Sequence, residues 1–399
     1  MIERVDAYPS VVEYDPAWPA VFEEVRIRVA PAVADLDASI EHVGSTAVPG
    51  LAAKPIIDVD VGAVPGDAGG STAWATLRSL AGDGDQALSV LNGMLGDLLE
   101  ARQSSLAIPM TFRCDGVELG LDRHALAEQL PGATGSVCLF VPGLMGSDAV
   151  WRFPRQVGMT YGSRLAADRN VTSVFLGYNS GRHVSVNGRQ LALLLQALVA
   201  AWPVEIEELS VVGHSMGGLV VRSACYYGAQ EGCSWVEKVR RVFLLGAPMS
   251  GAPLEKLVHV ADFTLTTIWN PVTRFIGRAL RRRSAGIKDL RFGALVEEDW
   301  SGHDPDELRW PSRQPVPLLR TADHYVIAGS LASRIDHPAA RVLGDSLVTF
   351  FSATGQTLTR WGATPFADSH VRNLPKIGHL ALAHDDTVYE QMLAWWTTP

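Results

Sequence analysis

From Ser136 onward the chain alternates short, unbroken apolar runs with stretches of helical period. Ser136 to Val141, Val171 to Gly177, Leu209 to Val212, Val242 to Leu245, Tyr325 to Gly329 and Val371 to Leu374 are too short for helices and read as strands, Ser136 to Val141 as a fully buried one. Between them, Leu191, Leu194, Leu195 and Leu198 recur at helical spacing until Pro203 ends the run, and Leu165 to Asp168 closes another helix. Leu219, Val220 and Ala224 mark a third, and Val388, Met392, Trp395 and Trp396 give the last helix a buried face. Such alternation requires right-handed crossovers. It predicts an α/β fold with a mostly parallel, doubly covered sheet and a site at the carboxyl ends of its strands.

Upstream the pattern changes. Ile108 to Arg113 and Val117 to Leu121 flank Asp115-Gly116, a strong hairpin signal, so an antiparallel pair precedes the parallel strands. Ala87, Val90, Leu91, Met94, Leu95 and Leu98 predict a helix leading into it. Residues 65–84, rich in Gly, Ala and Asp, read as a junction. Earlier, a Gly/Pro-rich loop with Gly44-Ser45 runs into an apolar strand, Pro55 to Val61, carrying Asp58 and Asp60. That arrangement suits phosphate on backbone amides and a cation on the carboxylates, as in nucleotidyltransferase-type folds. The chain thus divides into an N-terminal α/β extension (1–65), a junction and helix (66–104) and a main domain (105–399). Within the last, residues 252–320 break the alternation with amphipathic segments such as Leu254, Leu257 and Val258, then Val272, Phe275 and Ile276. They form either a helical cap over the pocket or an extra layer on the sheet.

Composition narrows the partners. With 399 residues, 47% of them hydrophobic, a large core is available. The net charge of -9 argues against a nucleic-acid surface, and the basic run Arg281 to Arg283 reads as a solvated helix end. Cys114, Cys138, Cys225 and Cys233 lack metal-ligand spacing and suggest a reduced compartment. The first residues show no leader pattern and no apolar run reaches about 18 residues. A cytoplasmic protein without stable membrane insertion is the expectation, and no metal or cofactor is required.

The chemistry centres on Gly213-His214-Ser215-Met216-Gly217, set between a strand and a helix. This is the context of a nucleophile elbow: Ser215 at the tip of a strained turn, with the Met216 N–H and the helix dipole facing any charge that forms there. A nucleophilic serine needs a base, and the base needs an orienting acid. His379, after Gly378 and before the final helix, is the candidate base. His370 is expected within the preceding strand, and His384 precedes the helix N-cap signal Asp385-Asp386. Asp345, in the loop after the Tyr325 strand, is the candidate acid, with Asp336 in the same loop as the alternative and Asp323 ahead of the strand. The second oxyanion donor belongs after the Ser136 to Val141 strand, in Phe140-Val141-Pro142-Gly143-Leu144, which nominates the Leu144 N–H.

These residues resemble bacterial lipases and serine esterases of the α/β-hydrolase superfamily. The resemblance spans about residues 107 to 399 and includes the elbow, Gly246-Ala247-Pro248 with Gly251-Ala252-Pro253, and the Gly344-Asp345 and Gly378-His379 loops. Pro142 stands where that family usually has histidine; the N–H in question lies two residues later. The N-terminal stretch resembles the GrpB family in Tyr14-Asp15-Pro16-x-Trp18, Glu41-His42-Val43-Gly44-Ser45-Thr46 and Pro55-Ile56-Ile57-Asp58. That match stops near Val64, without the family's basic, helical second half, which implies a truncated remnant packed on the main domain. Together the resemblances imply a carboxylic-ester hydrolase with a Ser-His-Asp triad, acting on small-molecule esters or lipids with apolar groups. A thioesterase, amidase or acyltransferase would share the triad. A non-catalytic binding module with a nucleotide-binding N-terminal segment is the remaining alternative.

Overall fold

The computed structural model describes residues 13–33, 38–43, 56–63, 74–80, 84–252, 284–303, 313–332, 345, 348–355 and 366–397. At the N-terminal end, α1 (Trp18–Val33) precedes an antiparallel sheet of β1 (Ala38–Val43), β2 (Ile56–Ala63) and β3 (Trp74–Leu80), ordered β1-β2-β3. Phe22 of α1 stacks on His42 of β1 with ring centroids 4.8 Å apart. Asp58 and Asp60 occupy β2, opposite Val43 and Glu41 in the register; Gly44 and Ser45 lie outside the described residues. The stretch expected to be a junction, 65–84, contains β3, so the sheet continues past residue 65. Its sequence hides this, because Trp74 to Leu80 has no clean two-residue alternation and gains its strand conformation from pairing with β2.

The helix α2 (Gly84–Ala101) follows, then β4 (Thr111–Cys114) and β5 (Val117–Glu118). Asp115 and Gly116 take φ values of 49° and 80°, the left-handed pair that a two-residue hairpin turn needs. The strands are shorter than the apolar pattern because Pro109 offers no N–H to the ladder at one end. After α3 (Arg123–Gln129) come β6 (Ser136–Val141), α4 (Tyr161–Arg169), β7 (Thr172–Gly177), α5 (Val184–Ala201), β8 (Glu208–His214), α6 (Met216–Gln230) and β9 (Val239–Leu245). Then follow α7 (Ala285–Phe292), β10 (Asp323–Ser330), β11 (Val371–Pro375) and α8 (Asp386–Trp396). The second sheet has eight strands in the order β11-β10-β9-β8-β6-β7-β4-β5. Pairing is parallel from β7 through β11, and β4 and β5 add an antiparallel edge.

Each face carries its own core. Val137, Leu139 and Val141 of β6 join α5 and α6 on one side, while Cys138 and Phe140 face α4 and α8 on the other. Residues of every central strand are buried on both faces, which is why these strands read as apolar runs. Helix α5 is long and apolar enough to cross a membrane by length and composition alone; here Leu191, Leu195 and Leu198 are buried in the core shared with α6. Two local expectations change. His370 sits in a 3-10 turn (Asp368–His370) one residue ahead of β11, and β10 begins at Asp323 itself. Much of the expected cap, 253–283 and 304–312, including Leu254, Val272, Phe275 and Arg281 to Arg283, lies outside the described residues; α7 belongs to its described part.

The aromatic stack on the α8 face makes a direct test of this core. Phe243 is fully buried between Tyr325 (5.1 Å, 20°) and Trp396 (5.7 Å, 12°). Phe243→Ala should cost about 3–5 kcal/mol, read as a lower urea midpoint at unchanged slope.

Candidate active site

The chain reverses its direction of strand addition around β6. From β6 it moves outward to β7, then returns to place β8 on the other flank of β6 and continues through β9 to β11. Open α/β sheets bind ligands at such a switch point, beyond the carboxyl ends of the strands. Ser215 lies there, between β8 and α6, with φ 54° and ψ -126°. A non-glycine residue in that region is strained by about 1–3 kcal/mol and persists only where its surroundings over-determine it. They do: the Ser215 N–H donates to the Leu245 carbonyl at 2.8 Å, and the Ser215 carbonyl accepts from the Gly218 N–H at 3.0 Å. A Cβ on Gly213 would come within 2.6 Å of Gly218 Cα, and one on Gly217 would strike the Val141 carbonyl. Glycine therefore flanks the serine for reasons of space as well as conformation. The first N–H groups of α6 have no intrahelical acceptor and open toward the serine end of the turn.

His379 and Asp345 meet under the end of β9. His379 Nδ1 and Asp345 Oδ2 are 2.8 Å apart, and both side chains are nearly sealed from solvent, at 3% and 1% exposure. The carboxylate has a second tie: the Val348 N–H donates to Asp345 Oδ1 at 2.7 Å. The main chains are joined too, through His379 N–H and the Asp345 carbonyl at 3.1 Å. Asp345 is thus both a turn aspartate and the partner of the imidazole. His379 Nε2 is buried and makes no hydrogen bond among the described residues. With Nδ1 carrying the proton toward Asp345, that nitrogen offers a lone pair. Asp336 and Gly344 lie outside the described residues. His384 contacts the Val150 carbonyl at 3.0 Å beside the Asp385 N-cap, and His370 packs on Tyr325 at 4.5 Å; neither pairs with a carboxylate among the described residues.

The loop after β6 passes directly beside the serine. A Cβ on Gly143 would approach Ser215 Cβ within 2.8 Å. Tyr178 Oη donates to the Pro142 carbonyl at 2.8 Å, and the Met145 N–H donates to Ser180 Oγ at 3.0 Å. Between these anchored groups the Leu144 N–H makes no hydrogen bond among the described residues. Pro142, unable to donate, costs the loop nothing at Leu144.

Three contacts had no signal in the sequence. His214 Nε2 is 2.9 Å from the His379 carbonyl, so the residue before the serine anchors the backbone of the histidine loop. Gly246, at φ 59°, leaves room for His379 and Asp345: a Cβ there would lie 3.2 Å from His379 Cε1 and from Asp345 Oδ2. Gln86 of α2 hydrogen-bonds the loop after β6. A glycine at the end of β9 was visible; its reason was tertiary.

The topology and this site define the class: residues from β4 onward have the α/β-hydrolase fold. Residues 132–292 match the family model described as PGAP1-like alpha/beta domain, and residues 9–80 match the one described as GrpB protein. The GrpB match reaches the end of β3, beyond the expected limit near Val64. A UPF0157 protein of Halalkalibacterium halodurans is 48% identical over 50 residues, 12% of this chain and 26% of that protein. One of Pseudomonas aeruginosa is 54% identical over 59 residues, 14% of this chain and 22% of that protein. The chain thus spans about a quarter of these relatives' length. Among solved structures, Bacillus licheniformis lipase BlEst2 aligns at TM-score 0.40 and 17% identity, covering 66% of this chain and 92% of that one. The Pyrococcus furiosus esterase Pf2001 aligns at 0.39 and 10%, covering 66% and 80%.

Burial, and then the neighbouring His379 ring, push the His214 imidazole down to about 3; burial beside Arg222 pushes His324 to about 3 as well. Both are neutral in the folded protein at pH 5, whereas an unfolded histidine protonates near pH 6.5. The unfolded state then binds more protons, so stability should fall as pH drops from about 6.5 towards 3, by about 1.4 kcal/mol per unit for each histidine. Urea titrations across that range should show a shallower fall for His324→Asn than for the unaltered protein.

Proposed function

We propose that this chain is a carboxylic-ester hydrolase that works through an acyl-enzyme on Ser215. The observation that carries the reading is His379: one ring nitrogen held by Asp345, the other buried and without a hydrogen bond among the described residues, at the same end of the sheet as a serine strained at a nucleophile elbow. Ser215 Oγ attacks the ester carbonyl while His379 Nε2 takes its proton, and Asp345 stabilises the imidazolium that results. The Leu144 and Met216 N–H groups receive the negative charge of the tetrahedral intermediate. The alkoxide leaves with the proton from His379, and water, activated by the same nitrogen, releases the acid. No step needs a metal or cofactor. The substrate class we favour is a small ester or lipid with an apolar acyl or alkoxy group, because the segment after β9 is rich in apolar residues. The GrpB-like part we read as a partial copy of its family with a packing role.

Hydrolysis of p-nitrophenyl esters from acetate to palmitate tests this directly. Ser215→Ala should remove activity by about 10⁴-fold or more, and Asp345→Asn should lower kcat by about 10³ to 10⁴-fold with a smaller change in KM. Equal activity in the Ser215 variant, or no labelling of Ser215 by a fluorophosphonate, would sink the proposal. Turnover of thioesters or amine acceptors in preference to water would redirect it to another acyl transfer on the same residues.

A further inference from the structure

Helix α2 lies between the two stretches that match known families, yet it grips the loop that runs beside Ser215. Gln86 uses both ends of its amide there: Nε2 donates to the Met145 carbonyl at 3.0 Å, and Oε1 accepts from Ser147 Oγ at 2.8 Å. Met145 itself is held at φ 60°, a left-handed conformation that methionine rarely adopts. Its two peptide planes are pinned from opposite sides, the N–H by Ser180 Oγ and the carbonyl by Gln86. Two turns further along α2, Gly93 lets the helix close on this residue; a Cβ there would strike Met145 Cγ. Relaxing Met145 to negative φ would turn the Leu144–Met145 peptide and the chain before it, and so re-aim the Leu144 N–H in the loop that passes Ser215 at Gly143.

We propose that Gln86 is a positioning residue for ester hydrolysis: by fixing Met145 in its strained conformation it aims the Leu144 N–H at the forming oxyanion. This rests on the reading of Leu144 as an oxyanion donor. It also makes the helix that joins the GrpB-like part to the hydrolase fold a working component of the hydrolase site. Gln86 is only partly buried and touches no reacting atom, so its removal leaves the core intact.

The test uses the full chain and two variants. Gln86→Ala removes both bonds; Gln86→Glu keeps an acceptor for Ser147 Oγ but has no N–H for the Met145 carbonyl. Each should lower kcat on a p-nitrophenyl ester about tenfold with KM within about twofold, a smaller loss than deleting a donor outright. Inhibition by a trifluoromethyl ketone, whose tetrahedral adduct carries the oxyanion, should weaken by the same factor as kcat/KM falls. Unchanged kcat and unchanged ketone affinity, with only a lower Tm, would overturn the inference and leave Gln86 a structural residue. Should Gln86→Ala fail to fold, Ser180→Ala, which frees the other side of Met145, decides in the same two measurements. Absence of Ser215-dependent turnover in the unaltered protein would instead remove the reading on which the inference stands.

Discussion

The positive φ of Ser215 is the constraint around which the carboxyl end of the sheet is built. A strained residue at a strand-to-helix turn survives only if the backbone on every side is fixed, and here each neighbour is itself a parallel strand or its continuation. Leu245 at the end of β9 accepts the Ser215 N–H, and the Val141 and Pro142 carbonyls at the end of β6 press on Gly217. Ala247 fills the space against Gly218. The tight turn therefore depends on small residues in three separate segments: Gly143 after β6, Gly217 and Gly218 in the turn itself, and Ala247 after β9. Placing β8 between β6 and β9 is what supplies them.

The same economy of space governs the histidine and aspartate. Burying a carboxylate is costly unless its oxygens are hydrogen-bonded with good geometry. Asp345 meets that condition with one oxygen on His379 and the other on the Val348 N–H, under Gly246 and Gly329, where a Cβ on Gly329 would fall 3.0 Å from Asp345 Cβ. His214, kept neutral by burial, can donate to the His379 carbonyl across a wide pH range without adding a charge beside the pair. Its other ring nitrogen has no hydrogen bond among the described residues, a cost offset by an uncharged anchor.

The sequence made the central strands legible because burial on both faces leaves an apolar run of strand length, and it made the hairpin legible because Asp-Gly suits two consecutive left-handed residues. Ser215, His379 and Asp345 were nominated on different grounds, Ser215 by its Gly-x-Ser-x-Gly turn between a strand and a helix, the other two by following strands in the chain order such sites require; the structure brings His379 and Asp345 within 2.8 Å of each other. β3 was not, since its pattern is set by a neighbouring strand rather than by a buried face of its own. His370 slipped by one residue, because a helical turn and a strand end are not distinguished by composition. The contacts of His214 and Gln86 join residues 165 and 59 positions apart, and no local pattern records them.

One trace of α2's packing was nevertheless present. An 18-residue helix that keeps Gly93 and Gly96 gives up about 1 kcal/mol at each relative to alanine. Two such positions, three residues apart, share a face, and the loss is recovered only where another chain segment comes unusually close. Here Gly93 faces Met145 and Gly96 faces Asn179, whose amide donates to the Gly96 carbonyl at 2.8 Å. Ser284 Oγ donates to the Gly93 carbonyl at 2.7 Å, and the Ala285 N–H reaches Asp97 at 3.2 Å, so the return of the segment after β9 seats on the same face. Arg182 pairs with Glu100 at 2.7 Å farther along. A helix that contacts the loops after β6 and β7 and the segment after β9 packs against the hydrolase fold from outside its sheet. The contacts that hold those loops therefore begin at α2, ahead of the first strand of the sheet.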